Sequence, residues 1–226
     1  RVPNREIAAF VVIALALLGL AAPLLGSAAG PERWLSVGSF RLYMAPVLLP
    51  SFLAACSISR RDRGHVIVLA SLVVAGGLLA AQPDASQVLA LCVGTAVLFL
   101  RGKCGFIWSG VVLIGLMLAT VLAFIQPDPL QPVPLVEGVF ALAFSQSWLA
   151  GITVAGGAVA FLVGLCWQSR PQMPWLLAVA VYYSVLYACS LAGLTPAPLV
   201  GYGTGPILGF GLLVGVSHAL RWPEPE

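Results

Sequence analysis

Residues 105–125 read GFIWSGVVLIGLMLATVLAFI, with no charged side chain among them. Wound as an α-helix, a run of this length rises about 30 Å, the hydrocarbon thickness of a bilayer. The strands of a membrane barrel would instead show short segments alternating apolar and polar residues. In lipid the backbone amides must find partners within the segment, so this run reads as a spanning helix.

Seven further apolar runs lie on either side, at roughly 7–28, 42–58, 65–81, 86–101, 138–166, 174–193 and 199–219. Some fall short of the usual ~20 residues, so their ends are expected to reach into the flanking loops. Of the 226 residues, 60% are hydrophobic and only 8% charged, and the mean hydropathy is +1.02. Soluble domains carry about 25% charged residues because water must wet their surface. The fold class expected is therefore all-α: a polytopic transmembrane bundle of about eight spanning helices, with short loops and a single membrane domain over 1–226.

Lys and Arg set the orientation. With the N-terminus inside, the cytoplasmic side receives Arg1, Arg5, Arg60, Arg61, Arg63, Arg101, Lys103, Arg170 and Arg221, and the outer side only Arg33 and Arg41. That bias predicts cytoplasmic termini and puts Glu32, Asp84, Asp128 and Glu137 outside. The basic residues are scattered over loops, so the net charge of +3 does not point to nucleic acid. Cys56, Cys92, Cys104, Cys166 and Cys189 lie in or beside apolar runs without metal-type pairing and read as small core residues. The first run is long enough to remain a helix rather than a cleaved signal, and the start at Arg1 leaves room for preceding residues. Gly76-Gly77, Gly156-Gly157 and Gly209/Gly211/Gly215 are expected to let helices approach closely.

Four outer segments carry information. Residues 30–41 hold Arg33, Trp34 and Arg41, which suit either an interfacial anchor with snorkelling arginines or a cationic mouth for an anionic lipid headgroup. Residues 81–84 end a helix in a proline turn, where Asp84 is placed to cap the next helix. Residues 126–137 contain four prolines and form a stiff extended loop, with Glu137 where the next helix begins and its dipole favours a carboxylate. Residues 196–206 are an irregular Gly/Pro run at membrane depth that must line a cavity or pack against protein.

In order, these segments resemble the SEDS family (shape, elongation, division and sporulation proteins), with its RodA, FtsW and SpoVE members. Arg33-Trp34-Leu35-Ser36-Val37-Gly38 resembles the family's Arg-Trp-Ile/Leu-x-x-Gly loop, continued by Phe40-Arg41-Leu42. Ala81-Gln82-Pro83-Asp84 and Val97 to Gly102 are similar to its Gln-Pro-Asp segment and the helix ending Leu-Phe-x-x-Gly. Val139-Phe140-Ala141 through Gly151 lines up with its Asp-Phe-Ile-Phe-Ala helix, and Pro196 to Gly205 with Pro-Leu-Pro-Phe-Val-Ser-Tyr-Gly-Gly-Ser. The chain would then correspond to helices three to ten of the ten-helix SEDS fold, with the large outer loop reduced to 126–137.

The resemblance implies a bacterial cytoplasmic membrane protein of peptidoglycan assembly. It further implies membrane lipid or a polyprenyl-linked substrate such as lipid II as the ligand, and a single-pass partner such as a class B penicillin-binding protein. It aligns the family's presumed catalytic aspartate with Glu137, and marks Arg33, Trp34, Arg41, Gln82, Asp84 and Tyr202 as the substrate-binding candidates. Ser145 and Gln146 stand at the family's paired glutamates, Leu49 at its membrane-embedded lysine, and Gly201 at the serine before Tyr202. Glycan transfer needs a base for the acceptor hydroxyl and cationic or metal help for the departing pyrophosphate. No cofactor is read from the residues, and divalent-cation help is left open. The extra methylene of Glu137 moves its carboxylate by about an ångström, a shift that can cost roughly a hundredfold.

The function read from these departures is a catalytically degenerate scaffold or partner-binding subunit. Two alternatives stand beside it: an active glycosyltransferase using Glu137 as base, and a lipid-headgroup-binding or transport component. Because charges within the spans are almost absent, a channel is disfavoured.

Overall fold

The computed structural model describes residues 3–25, 33–58, 64–102, 105–127, 136–169, 173–201 and 203–219. Within them the elements run α1 (Pro3–Leu25), β1 (Trp34–Val37), β2 (Phe40–Tyr43), α2 (Met44–Ile58), α3 (Gly64–Ala81), α4 (Ala85–Arg101) and α5 (Phe106–Ile125). They continue with α6 (Val139–Gln146), α7 (Trp148–Gln168), α8 (Pro174–Leu191) and α9 (Thr204–Ala219). The helical bundle expected from composition is present. Four helices are long and apolar enough to cross a membrane: α1, α5, α7 and α8. Four more, α2, α3, α4 and α9, are apolar but shorter.

Two expectations need correction. The run 138–166 is two helices, because Ser147 is extended at φ −167° and ψ 153° and its side chain accepts from the Ala150 amide, capping a new helix. Helix α6 bends back, so a Cβ on Gly151 would overlap the Phe144 ring. The 30–41 segment, read as a loop, contains a β-hairpin that takes up the first residues of the 42–58 run. Trp34 pairs with Tyr43 and Val37 with Phe40, and Gly38 supplies the left-handed φ of +60° at the two-residue turn. Strands of four residues leave too little periodicity to be seen in a sequence.

Burial separates the helices by role. In α8, 61% of the spanning window is buried, against 22% in α5 and 17% in α7. Helix α8 is therefore an inner pillar, while α5 and α7 turn most of their apolar surface outward to lipid. Its C-terminus closes as a Schellman motif: Gly193 takes φ +72°, its amide reaches the Ser190 carbonyl, and the Leu194 amide reaches the Cys189 carbonyl.

The glycines divide. Gly76 admits the Leu116 side chain of α5 and Gly209 the backbone of Pro46, so these serve close packing as expected, and Gly94 does the same for the Ala178 carbonyl of α8. Gly77, Gly156, Gly157, Gly211 and Gly215 face open space, where a Cβ would touch nothing within 4 Å. Cys56, Cys92 and Cys189 are buried, Cys166 is exposed on α7, and Cys104 lies outside the described residues.

Candidate functional site

The informative connections gather at one end of the bundle. The hairpin follows α1, the 82–84 turn joins α3 to α4, residues 136–138 precede α6, and residues 192–203 join α8 to α9. The links between them are specific. Gln82 donates from Nε2 to the Leu20 carbonyl of α1, and Arg33 from Nη2 to the Pro83 carbonyl at 3.1 Å. Gln126 donates from Nε2 to the Ala80 carbonyl at 3.0 Å, and the Ala197 amide to the Val136 carbonyl at 3.1 Å.

Asp84 is the centre of a buried polar lattice. It stands at the N-cap position of α4, yet its side chain makes no cap bond. Its Oδ2 instead accepts from the Tyr43 hydroxyl at 2.6 Å, its Oδ1 accepts from the Ser86 hydroxyl at 3.3 Å, and the Arg33 charge lies nearby. Gln87, one turn along α4, accepts from Tyr182 of α8 at 2.5 Å and also reaches the Tyr43 hydroxyl. Trp34 stacks on Tyr43 with centroids 5.5 Å apart, closing the hairpin over the group. Asp84 and Tyr182 are wholly enclosed, and Arg33, Tyr43, Gln82, Ser86 and Gln87 nearly so.

Burial sets the electrostatics. Loss of water raises the Asp84 carboxyl above the ordinary carboxylate value, while the Arg33 charge and the Tyr43 hydrogen bond draw it back. Burial, reinforced by the adjacent carboxylate, pushes the Tyr43 phenol well above the usual tyrosine value, so it remains a neutral donor.

Helix α8 links this lattice to Glu137. Cys189 lies within electrostatic reach of Asp84, and the next residue, Ser190, donates its hydroxyl to the Glu137 carbonyl at 3.0 Å. Glu137 itself is half-buried, one residue before the Gly138 N-cap of α6. The structure thus brings Arg33, Trp34, Gln82 and Asp84 together and sets Glu137 beside them across α8. It turns Arg41 outward, paired with Ser36 in the hairpin ladder and exposed. Tyr202 lies outside the described residues.

The sequence reading missed Tyr43, Gln87 and Tyr182 as members of this group. Polar residues within otherwise apolar spans were the available signal. Among the described residues no three His, Cys, Asp or Glu side chains are grouped to hold a metal ion.

The family model of the FtsW, RodA and SpoVE cell cycle proteins matches residues 2–136. The chain belongs to that family. As a SEDS protein it is a multi-pass membrane protein of cell-wall synthesis. The matched stretch contains the Arg33–Arg41 and Gln82–Asp84 segments and ends one residue before Glu137. No curated protein matches the chain.

Proposed function

We propose that this SEDS protein serves cell-envelope assembly as a scaffold or partner-binding subunit whose polymerase chemistry has lapsed. The observation that carries this reading is the lattice itself. Arg33, Gln82 and Asp84, the polar groups that resemble the family's substrate-side residues, are buried and bonded inward. Leu49, at the position of the family's lysine, is enclosed in the apolar core. Ser145, at the first of its paired glutamates, turns its hydroxyl to the Leu142 carbonyl of its own helix. A transferase needs a base and a cationic cradle held toward the lipid-linked substrate. With Arg33 buried and Arg41 exposed, a headgroup clamp between the two arginines draws little support.

In this reading the protein sits in the bacterial cytoplasmic membrane with both termini inside and the lattice near the outer face. Its partner is a single-pass subunit of class B penicillin-binding-protein type. The outward glycines Gly156 and Gly157 on α7 leave room for a partner helix to approach closely.

Purified protein is incubated with fluorescent lipid II, alone and with a penicillin-binding-protein-like subunit. The expected outcome is a stable complex and no glycan polymer from either the wild type or Glu137→Ala. Polymer made by the wild type and abolished in Glu137→Ala would replace this reading with a retained glycosyltransferase.

A further inference from the structure

We propose that a groove between α3 and α5 seats one acyl chain of a phospholipid, drawn from the leaflet on the side of the Asp84 lattice. The groove has a volume of about 400 Å³ and runs from Val73 to Ala81 on α3 and from Gly115 to Gln126 on α5. Gly77 makes the hollow. A Cβ there would touch nothing within 4 Å, whereas the place beside Gly76 is already filled by the Leu116 side chain.

Length selects the occupant. Val73 and Gly115 stand at the middle of their helices, and the groove extends from them to the ends nearest the 82–84 turn. From Gly115 to Gln126 a helix rises about 16 Å, which is one leaflet of a hydrocarbon core about 30 Å thick. The mid-height end is closed where a Val73 methyl lies 3.8 Å from the Cβ position of Gly115. Past it the helical period continues the same faces with Val66 on α3 and with Trp108 and Val111 on α5, all exposed large side chains. At the mouth Gln126 donates to the Ala80 carbonyl at 3.0 Å and the Leu122 carbonyl at 3.2 Å, a polar group where a chain from this leaflet would join its headgroup.

Width points the same way. About 400 Å³ spread over about 16 Å gives a mean cross-section of about 25 Å². One extended hydrocarbon chain fills that, and a helix of about 10 Å diameter does not. Left empty, the groove would forfeit dispersion contacts along both walls, so a chain is held there by packing rather than by escape from water. A polyprenyl tail is methyl-branched and much longer than one leaflet, so the closed mid-height end would force it out of the groove.

The test is native mass spectrometry of the full chain in detergent with added palmitoyl-oleoyl-phosphatidylethanolamine. The wild type should carry one retained phospholipid. Gly77→Leu fills the hollow from open space, so its melting curve should match or exceed the wild type while the adduct falls at least about fivefold. Gly211→Leu, which meets open space on α9, should keep the adduct. On the wild type, a diazirine at the end of the palmitoyl chain should label near Val73 and Gly115, and one beside its ester near Ala81 and Gln126. Equal retention in Gly77→Leu and the wild type would overturn the site, and the reverse order of labelling would overturn the leaflet assignment. Displacement of the adduct by equimolar undecaprenyl phosphate would replace the phospholipid with a polyprenyl tail. A dimer peak lost in Gly77→Leu would put a second copy of the chain in the groove instead.

Discussion

Replacing Tyr43 by phenylalanine removes one oxygen from the centre of the buried lattice around Asp84 and leaves the rest of the side chain in place. The ring keeps its stack on Trp34, so the substitution isolates the hydroxyl that donates to Asp84 at 2.6 Å. Asp84 is wholly enclosed, so water does not replace the lost donor. A hydrogen bond contributes about 1 kcal/mol net, and leaving a buried acceptor short of a partner costs about 1–3 kcal/mol. The expected loss in Tyr43→Phe is therefore about 2 kcal/mol, read from reversible SDS titration in mixed micelles. Tyr187→Phe is the matched control, because its hydroxyl is buried with no partner among the described residues. That variant should be unchanged or gain up to about 1 kcal/mol. If Asp84 is the acceptor that matters, the Tyr43→Phe penalty should shrink by roughly half or more in an Asp84→Asn background. Equal effects from Tyr43→Phe and Tyr187→Phe would refute the reasoning, since the two differ chiefly in whether the lost hydroxyl had a partner.

Two further outcomes follow from the same geometry. Because burial raises the Asp84 carboxyl, the folded state holds that proton more tightly than the unfolded chain. The contribution of Asp84 to stability should be full below the ordinary carboxylate value of about 4 and decline as pH rises toward its raised value; Asp84→Asn should flatten that decline in titrations run at stepped pH. On α9, Gly209→Ala forces a Cβ into the Pro46 backbone and should cost about 1–3 kcal/mol. Gly211→Ala meets open space and should be neutral or stabilising by up to about 1 kcal/mol, as melting curves of the two variants would show.

Membrane residence and helical class were legible in the chain because they depend on composition and run length. A stretch such as 105–125 has no stable form in lipid other than a helix, whatever its neighbours do. The Arg33-Trp34 and Gln82-Pro83-Asp84 segments were legible too, since their residue types stand out against an apolar background. Their arrangement was not. Whether Asp84 caps its own helix or accepts from Tyr43, forty-one residues away, depends on where the hairpin lies after α1 and α2 have packed. The same holds for Tyr182, whose partner Gln87 is ninety-five residues distant.

The break at Ser147 also belongs to tertiary structure, because α6 can turn back only where Gly151 admits the Phe144 ring. Glycines that look alike in sequence part ways for a similar reason: Gly209 receives a neighbouring backbone and Gly211, two residues on, faces the outside. Hydrophobic period and run length are local properties, so the sequence alone determined that these helices form and where they reside. The pairing of buried polar groups is a property of the packed whole. Only the tertiary structure could decide that Arg33, Gln82 and Asp84 bond to the protein's own interior.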